Sequence, residues 1–169
     1  MTGGCGVYFI RKGGSLPKKD KLITDPQVIE SIIRKAKVMR LAMVEGDHPY
    51  LIPLNFGYES GILYFHTGLK GRKIDVIRKN PNICFEMDVD HEMVESEIAC
   101  KWTMKFRSVV GYGQAVFIES NSEKRIGLDA IMRQYSNKSY DYLDEKLKIT
   151  SIVKIEIESM TALVFGHDV

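Results

Sequence analysis

The chain has 169 residues, 44% hydrophobic and 27% charged, a balance that suits one globular domain with a sizeable core. Its net charge of +2 excludes a chain-wide nucleic-acid surface, so any anion recognition must come from a local cluster. No apolar run approaches the roughly 20 residues of a membrane-spanning helix. Three cysteines without metal-like spacing point away from a zinc site and towards a reduced, cytoplasmic setting.

Residues 1–17, which open with the Gly-rich "MTGGCGVYFIRKGG", read as a flexible leader whose apolar part is too short for a signal peptide. Residues 18–169 then read as one domain. "TDPQVIESIIRKAK" predicts a helix with Asp25 as N-cap and Pro26 at the first helical position. Val28, Ile29, Ile32, Ile33 and Ala36 give it one apolar, docking face. "VMRLAMVEGDHPYLIPLNFGYESGILYFH" predicts three strands in a meander: Val38 to Val44, Tyr50 to Tyr58 and Ile62 to His66, with turns at Gly46-Asp47 and Ser60-Gly61.

A second helix is expected from about Gly71 to Lys79, with Ile74, Val76 and Ile77 inward and Asn80-Pro81 as its stop. "NICFEMDVD" predicts a fourth strand with Glu86 and Asp88 on its wet face and Cys84 in the core, and residues 91–101 a connection. "WTMKFRSVVGYGQAVFIES" is the fifth and longest strand, and Gly111 and Gly113 mark bulges or bends in it. "NSEKRIGLDAIMRQYS" predicts a helix capped by Asn121 or Ser122, with Ile126, Ile131 and Met132 towards the core. A polar connector over 137–148 leads to one or two closing strands, in which Val153, Ile155 and Ile157 alternate with Lys154, Glu156 and Glu158. The fold class is therefore mainly β with inserted helices, a small barrel-like sheet of roughly six or seven mostly antiparallel strands.

The chemistry concentrates in "GLKGRK". Lys70, Arg72 and Lys73 crowd a helix start, where the macrodipole already places about +0.5 charge. An anion held by the free N–H groups of the first turn removes the conflict. A phosphate suits it: Arg72 offers a planar fork, Lys73 a point charge, Thr67 a hydroxyl, and Gly68 and Gly71 let the backbone come close. A solvated basic helix end is the other reading. The full phosphate-loop pattern is absent, and so is G-x-G-x-x-G, which disfavours nucleoside-triphosphate and Rossmann sites.

Taken together, "YLIPLNF", "GILYFHTGLKGRKIDVIRKNPNICFEMD" and "KFRSVVGYGQAVFIES" resemble the pyridoxamine 5'-phosphate oxidase-like FMN-binding split β-barrels, and within them the 5-nitroimidazole-resistance proteins. The resemblance runs from about Lys18 onward. It implies a homodimer with FMN at the interface. It places Arg72 and Lys73 on the FMN phosphate, His66 and Thr67 along the ribityl chain and phosphate, and Pro53, Leu54 and Asn55 at the flavin edge. It also implies that Arg107 and Ser108, from the partner subunit in many members, reach the phosphate, and that Trp102 covers the ring. The C-terminal Arg and His motif of the true oxidases is missing, since the chain ends "TALVFGHDV", which disfavours pyridoxamine-phosphate oxidation.

The residues also carry plainer readings. Pro53 fits a simple edge strand. Asn55, expected inside an apolar strand, needs amide partners from either a flavin edge or a backbone loop. His66 is either a structural histidine or, beside a flavin, a catalytic proton donor. The functional expectation is an FMN-dependent oxidoreductase that reduces a small, planar, electron-poor acceptor such as a nitroimidazole. The alternatives are a non-catalytic FMN carrier or redox sensor and a haem-binding split barrel. No metal site, nucleic-acid partner or membrane partner is expected.

Overall fold

The computed structural model describes residues 22–168. The leader expected over 1–17 lies outside the described residues. The elements in chain order are β1 (Leu22–Ile23), α1 (Pro26–Lys35), β2 (Met39–Glu45), β3 (His48–Leu54), β4 (Gly57–Glu59), β5 (Ile62–Thr67), α2 (Arg72–Lys79), β6 (Asn82–Val94), β7 (Thr103–Ile118), α3 (Asn121–Tyr135), α4 (Asp144–Lys148) and β8 (Ser151–Phe165). The strands form one eight-stranded sheet in the order β3-β2-β6-β7-β8-β5-β4, with β1 paired to β8. Every pairing is antiparallel. The sheet is open, with β3 and β4 at its free ends. This is the mainly β architecture with inserted helices that the sequence predicts, with eight strands in place of six or seven.

α1 starts as its sequence dictates: the Asp25 side chain accepts from the Gln27 N–H at 2.9 Å, and Pro26 opens the helix. Ile29, Ile32, Ile33 and Ala36 are buried against the inner face of the sheet, among Met39, Leu41, Phe85 and Met87. Val28 packs at the edge of this core. In α2, Ile74, Val76 and Ile77 are all buried.

The expected meander is instead two hairpins at opposite ends of the sheet. The strand predicted over Tyr50–Tyr58 breaks at Asn55-Phe56 into β3 and β4. β3 pairs with β2, and β4 pairs with β5 through a turn in which Ser60 (φ 50°) and Gly61 (φ 81°) are both left-handed. The break has a physical cause. Phe56 is fully buried, and its N–H donates to the Tyr135 hydroxyl at 3.0 Å. At Gly57 a Cβ would lie 2.3 Å from the Ala130 backbone, so α3 presses on the chain where only glycine fits.

α3 is capped by Ser120, which accepts from the Glu123 N–H, and not by Asn121 or Ser122. Its inward face is Gly127, Ala130, Ile131 and Gln134. Ile126, expected in the core, is 53% exposed, and Met132 is half-buried. The Gln134 amide donates to the carbonyls of Ile33, Arg34 and Ala36, which the end of α1 leaves open. The connector expected over 137–148 contains α4. β6 runs on to Val94, through an irregularity at Val89/Glu92 where Asp90 has φ 59°. Cys84 is half-buried on the same face as Glu86 and Asp88, not in the core. In β7, the register shifts at Tyr112/Gly113, and Gly111 leaves room for the Phe85 ring. A single strand, β8, closes the chain.

Candidate functional site

β5 delivers the chain to the predicted anion site. Its last residue, Thr67, is buried and pairs with Ser151. Gly71 then adopts φ 136°, a conformation that L side chains rarely adopt. α2 begins at Arg72 with no side-chain cap. The N–H groups of Ile74 and Asp75 both donate to the Gly71 carbonyl, at 2.9 and 3.2 Å. The N–H groups of Arg72 and Lys73 precede the helix's first internal bond and face the helix N-terminus, the geometry that holds an anion.

The two cations differ in state. Arg72 is exposed and already engaged: its Nε donates to Glu45 Oε2 at 2.9 Å, its Nη2 lies 2.8 Å from the same oxygen, and its guanidinium stacks over Tyr50 at 4.4 Å from the ring centroid. Lys73 is half-buried and makes no ion pair among the described residues. Burial pushes its ammonium below the usual lysine value of 10.5. A partly desolvated cation beside a dipole of the same sign is an unfavourable arrangement that an anion would correct.

His66 precedes Thr67 on β5, and its side chain is exposed. The structure thus groups His66, Thr67, Arg72 and Lys73 around the β5-α2 junction. Within one chain it places Arg107, Ser108 and Trp102 away from that junction, while β3 approaches it through Tyr50. Pro53 and Leu54 lie on β3, the free edge of the sheet, the kind of strand that tolerates proline; Leu54 packs on the core. Asn55 is exposed in the gap between β3 and β4, so the expectation of an amide inside an apolar strand is overturned.

Arg107 and Ser108 sit towards the opposite end of the sheet. Arg107 pairs with Val89, whereas α2 leads into Asn82 at the start of the same strand. At ~3.3 Å per residue these positions are about 23 Å apart along β6. Arg107 donates to Asp90 at 3.4 Å and to the Asp168 carbonyl at 2.7 Å, while its Nε is buried without a partner. With Asp90, His91, Glu92 and His167 it lines an open cleft. Trp102 is 49% exposed at the β6-β7 connection, its indole N–H on the Ser96 carbonyl.

Sequence reasoning missed Glu45 and Tyr50. Both sit on the β2-β3 hairpin and meet Arg72 only through the tertiary fold, so no local signal marks them.

A model of the family described as pyridoxamine 5'-phosphate oxidase matches residues 25–164. The chain belongs to this family. Among solved structures, one similar fold is a candidate 5-nitroimidazole antibiotic resistance protein from Bacteroides thetaiotaomicron, 36% identical over 87% of this chain and 88% of that one, with a TM-score of 0.79. An FAD- and haem-binding protein from Mycobacterium smegmatis is 15% identical over 89% of this chain and 75% of that one, with a TM-score of 0.79. A flavocytochrome from Azotobacter vinelandii is 17% identical over 88% and 70%, with a TM-score of 0.76. The last two are likenesses of fold alone. A comparison with curated proteins finds no match. Among the described residues, no helix is long and apolar enough to cross a membrane, and no cluster of His, Cys, Asp and Glu could hold a metal ion.

Proposed function

We propose that this family member binds FMN between two copies of the chain and works as an FMN-dependent reductase of a small, planar, electron-poor acceptor such as a nitroimidazole. The observation that carries the reading is Lys73: a half-buried ammonium without an ion pair among the described residues, at an uncapped helix start beside Arg72. A flavin's phosphate matches that geometry. Its apolar ring and polar edge match the mixed β3 strand with Pro53, Leu54 and Asn55. The flavin supplies the electron transfer. The chain's residues hold it: Arg72, Lys73 and Thr67 at the phosphate, and exposed His66 as the proton donor to the acceptor.

The dimer rests on two supports. The outward face of the sheet carries a stripe of Leu51, Ala42, Cys84 and Tyr112 in register across four strands, with Leu51 59% and Tyr112 55% exposed and Val44 and Val110 beside them. Contiguous exposed apolar surface of this kind marks an interface. Only a second copy could also bring Arg107, Ser108 and Trp102 to an anion held at α2. Among the described residues, Cys84 and Cys100 form no disulfide, which fits a reducing cytoplasm.

The visible spectrum of the purified protein, with identification of the pigment released by heat, tests the reading. Released FMN, lost from an Arg72→Ala/Lys73→Ala double variant and from dissociated monomer, supports it. A folded double variant that keeps its FMN refutes the site. A haem band favours the haem-binding alternative. Bound FMN without turnover of any donor-acceptor pair favours a carrier or redox sensor.

A further inference from the structure

Arg72 has a rival for the phosphate. Its side-on edge, Nε with Nη2, is the fork that grips two oxygens of a carboxylate or phosphate. Glu45 Oε2 occupies that edge at 2.9 and 2.8 Å. The Tyr50 ring covers one face of the guanidinium. Arg72 is thereby drawn towards the β2-β3 hairpin, with its charge offset by a carboxylate. Lys73, one residue on, has no such partner among the described residues.

We infer that Glu45 is a specificity-determining competitor at the flavin site: it holds Arg72 until a phosphate takes the guanidinium from it. This rests on the flavin-phosphate reading above. Both side chains are substantially exposed, 58% for Arg72 and 37% for Glu45. An exposed ion pair of this kind is weak, so a doubly charged phosphate displaces it, but the displacement still costs affinity. A flavin without a phosphate has no reason to disturb the pair. Glu45 therefore tunes how strongly the site responds to the phosphate, while the ring contacts are left alone. The second charge of the phosphate, lost near pH 6, is what wins the contest.

The test is a titration of FMN and of riboflavin, followed by flavin fluorescence, into the wild type, Glu45→Gln, Arg72→Ala and the Glu45→Gln/Arg72→Ala double variant. Glu45→Gln keeps the size and polarity of an exposed side chain, so the fold is expected to survive, which circular dichroism checks. FMN is expected to bind Glu45→Gln about fivefold tighter than wild type, with riboflavin unchanged. The gain is expected to vanish in the Arg72→Ala background. Unchanged or weaker FMN binding by Glu45→Gln would overturn competition and make Glu45 a support for Arg72. A gain that persists without Arg72 would overturn it too, since Glu45 would then act by charge repulsion alone. If Arg72→Ala alone leaves FMN binding intact, the phosphate reading itself fails, whatever Glu45→Gln does.

Discussion

Replacing Lys73 by methionine should make the flavin-free protein slightly more stable and the flavin-bound protein less so. Lys73 is half-buried at the start of α2 and has no carboxylate partner among the described residues. Its ammonium is pushed below 10.5 by burial. For a base with a lowered folded value, the unfolded chain binds more protons between the two values, so stability rises with pH there, and below that window the charged form carries a constant penalty. Methionine keeps the length and removes the penalty, a gain of at most about 0.5 kcal/mol for a partly exposed position. The loss appears on binding. A charge-assisted hydrogen bond contributes about 1.5–3 kcal/mol, so FMN affinity should fall roughly 10- to 150-fold, and riboflavin affinity should not change. The two effects cross over. At FMN one hundred times the wild-type dissociation constant, the wild type gains about 2.7 kcal/mol, whereas a variant binding 30-fold more weakly gains about 0.9 kcal/mol. Urea unfolding with and without FMN reads both. A variant less stable than wild type without flavin, or one that keeps wild-type FMN affinity, would refute the reasoning.

Other expectations concern the frame that holds the site. Gln134→Leu should destabilise by about 2 kcal/mol in urea unfolding, because the buried amide is the donor for three carbonyls at the end of α1. Gly57→Ala should cost about 3 kcal/mol in thermal unfolding, since its Cβ would sit 2.3 Å from the backbone of α3. Asp90 is held below 3.8 by its hydrogen bond to Lys35, with Arg107 and His167 adding to the effect. Its stabilisation is present above that unfolded value and lost as pH falls through the lower folded value. Lys35→Met should therefore move the onset of acid unfolding, followed by circular dichroism, to higher pH. Proton uptake should accompany FMN binding at alkaline pH, because an anion beside Lys73 raises its lowered value; calorimetry in buffers of different ionisation enthalpy measures it.

What was legible in the sequence was local. Asp25-Pro26 announces α1 because cap and first turn lie within four neighbouring residues. The alternation of Val153, Ile155 and Ile157 with charged residues announces β8 because a strand has period two. Gly111 and Gly113 signal a disturbed strand, and the structure resolves them into two roles, room for Phe85 and a register shift. The largest error comes from a long-range contact. "YLIPLNFGY" reads as one strand, and what divides it is α3, some 80 residues later, pressing on Gly57 and receiving the Phe56 N–H on Tyr135. Asn55 is exposed for the same reason. Ile126 looks inward by composition, but Ser120 rather than Asn121 caps α3, and Gly127, Ala130 and Ile131 take the buried face.

The same division between local and distant information governs the site. Cations at a helix start announce an anion, and that inference needs only "GLKGRK". The structure supplies one anion that the sequence could not reveal, Glu45, brought to Arg72 by the β2-β3 hairpin. That pairing settles the charge of Arg72 and leaves Lys73 unsettled. Two adjacent basic residues thus differ: Arg72 has an internal carboxylate to fall back on, and Lys73 has none among the described residues. On the proposed reading, the flavin phosphate is what a half-buried Lys73 beside an uncapped Gly71 at φ 136° would take as its partner.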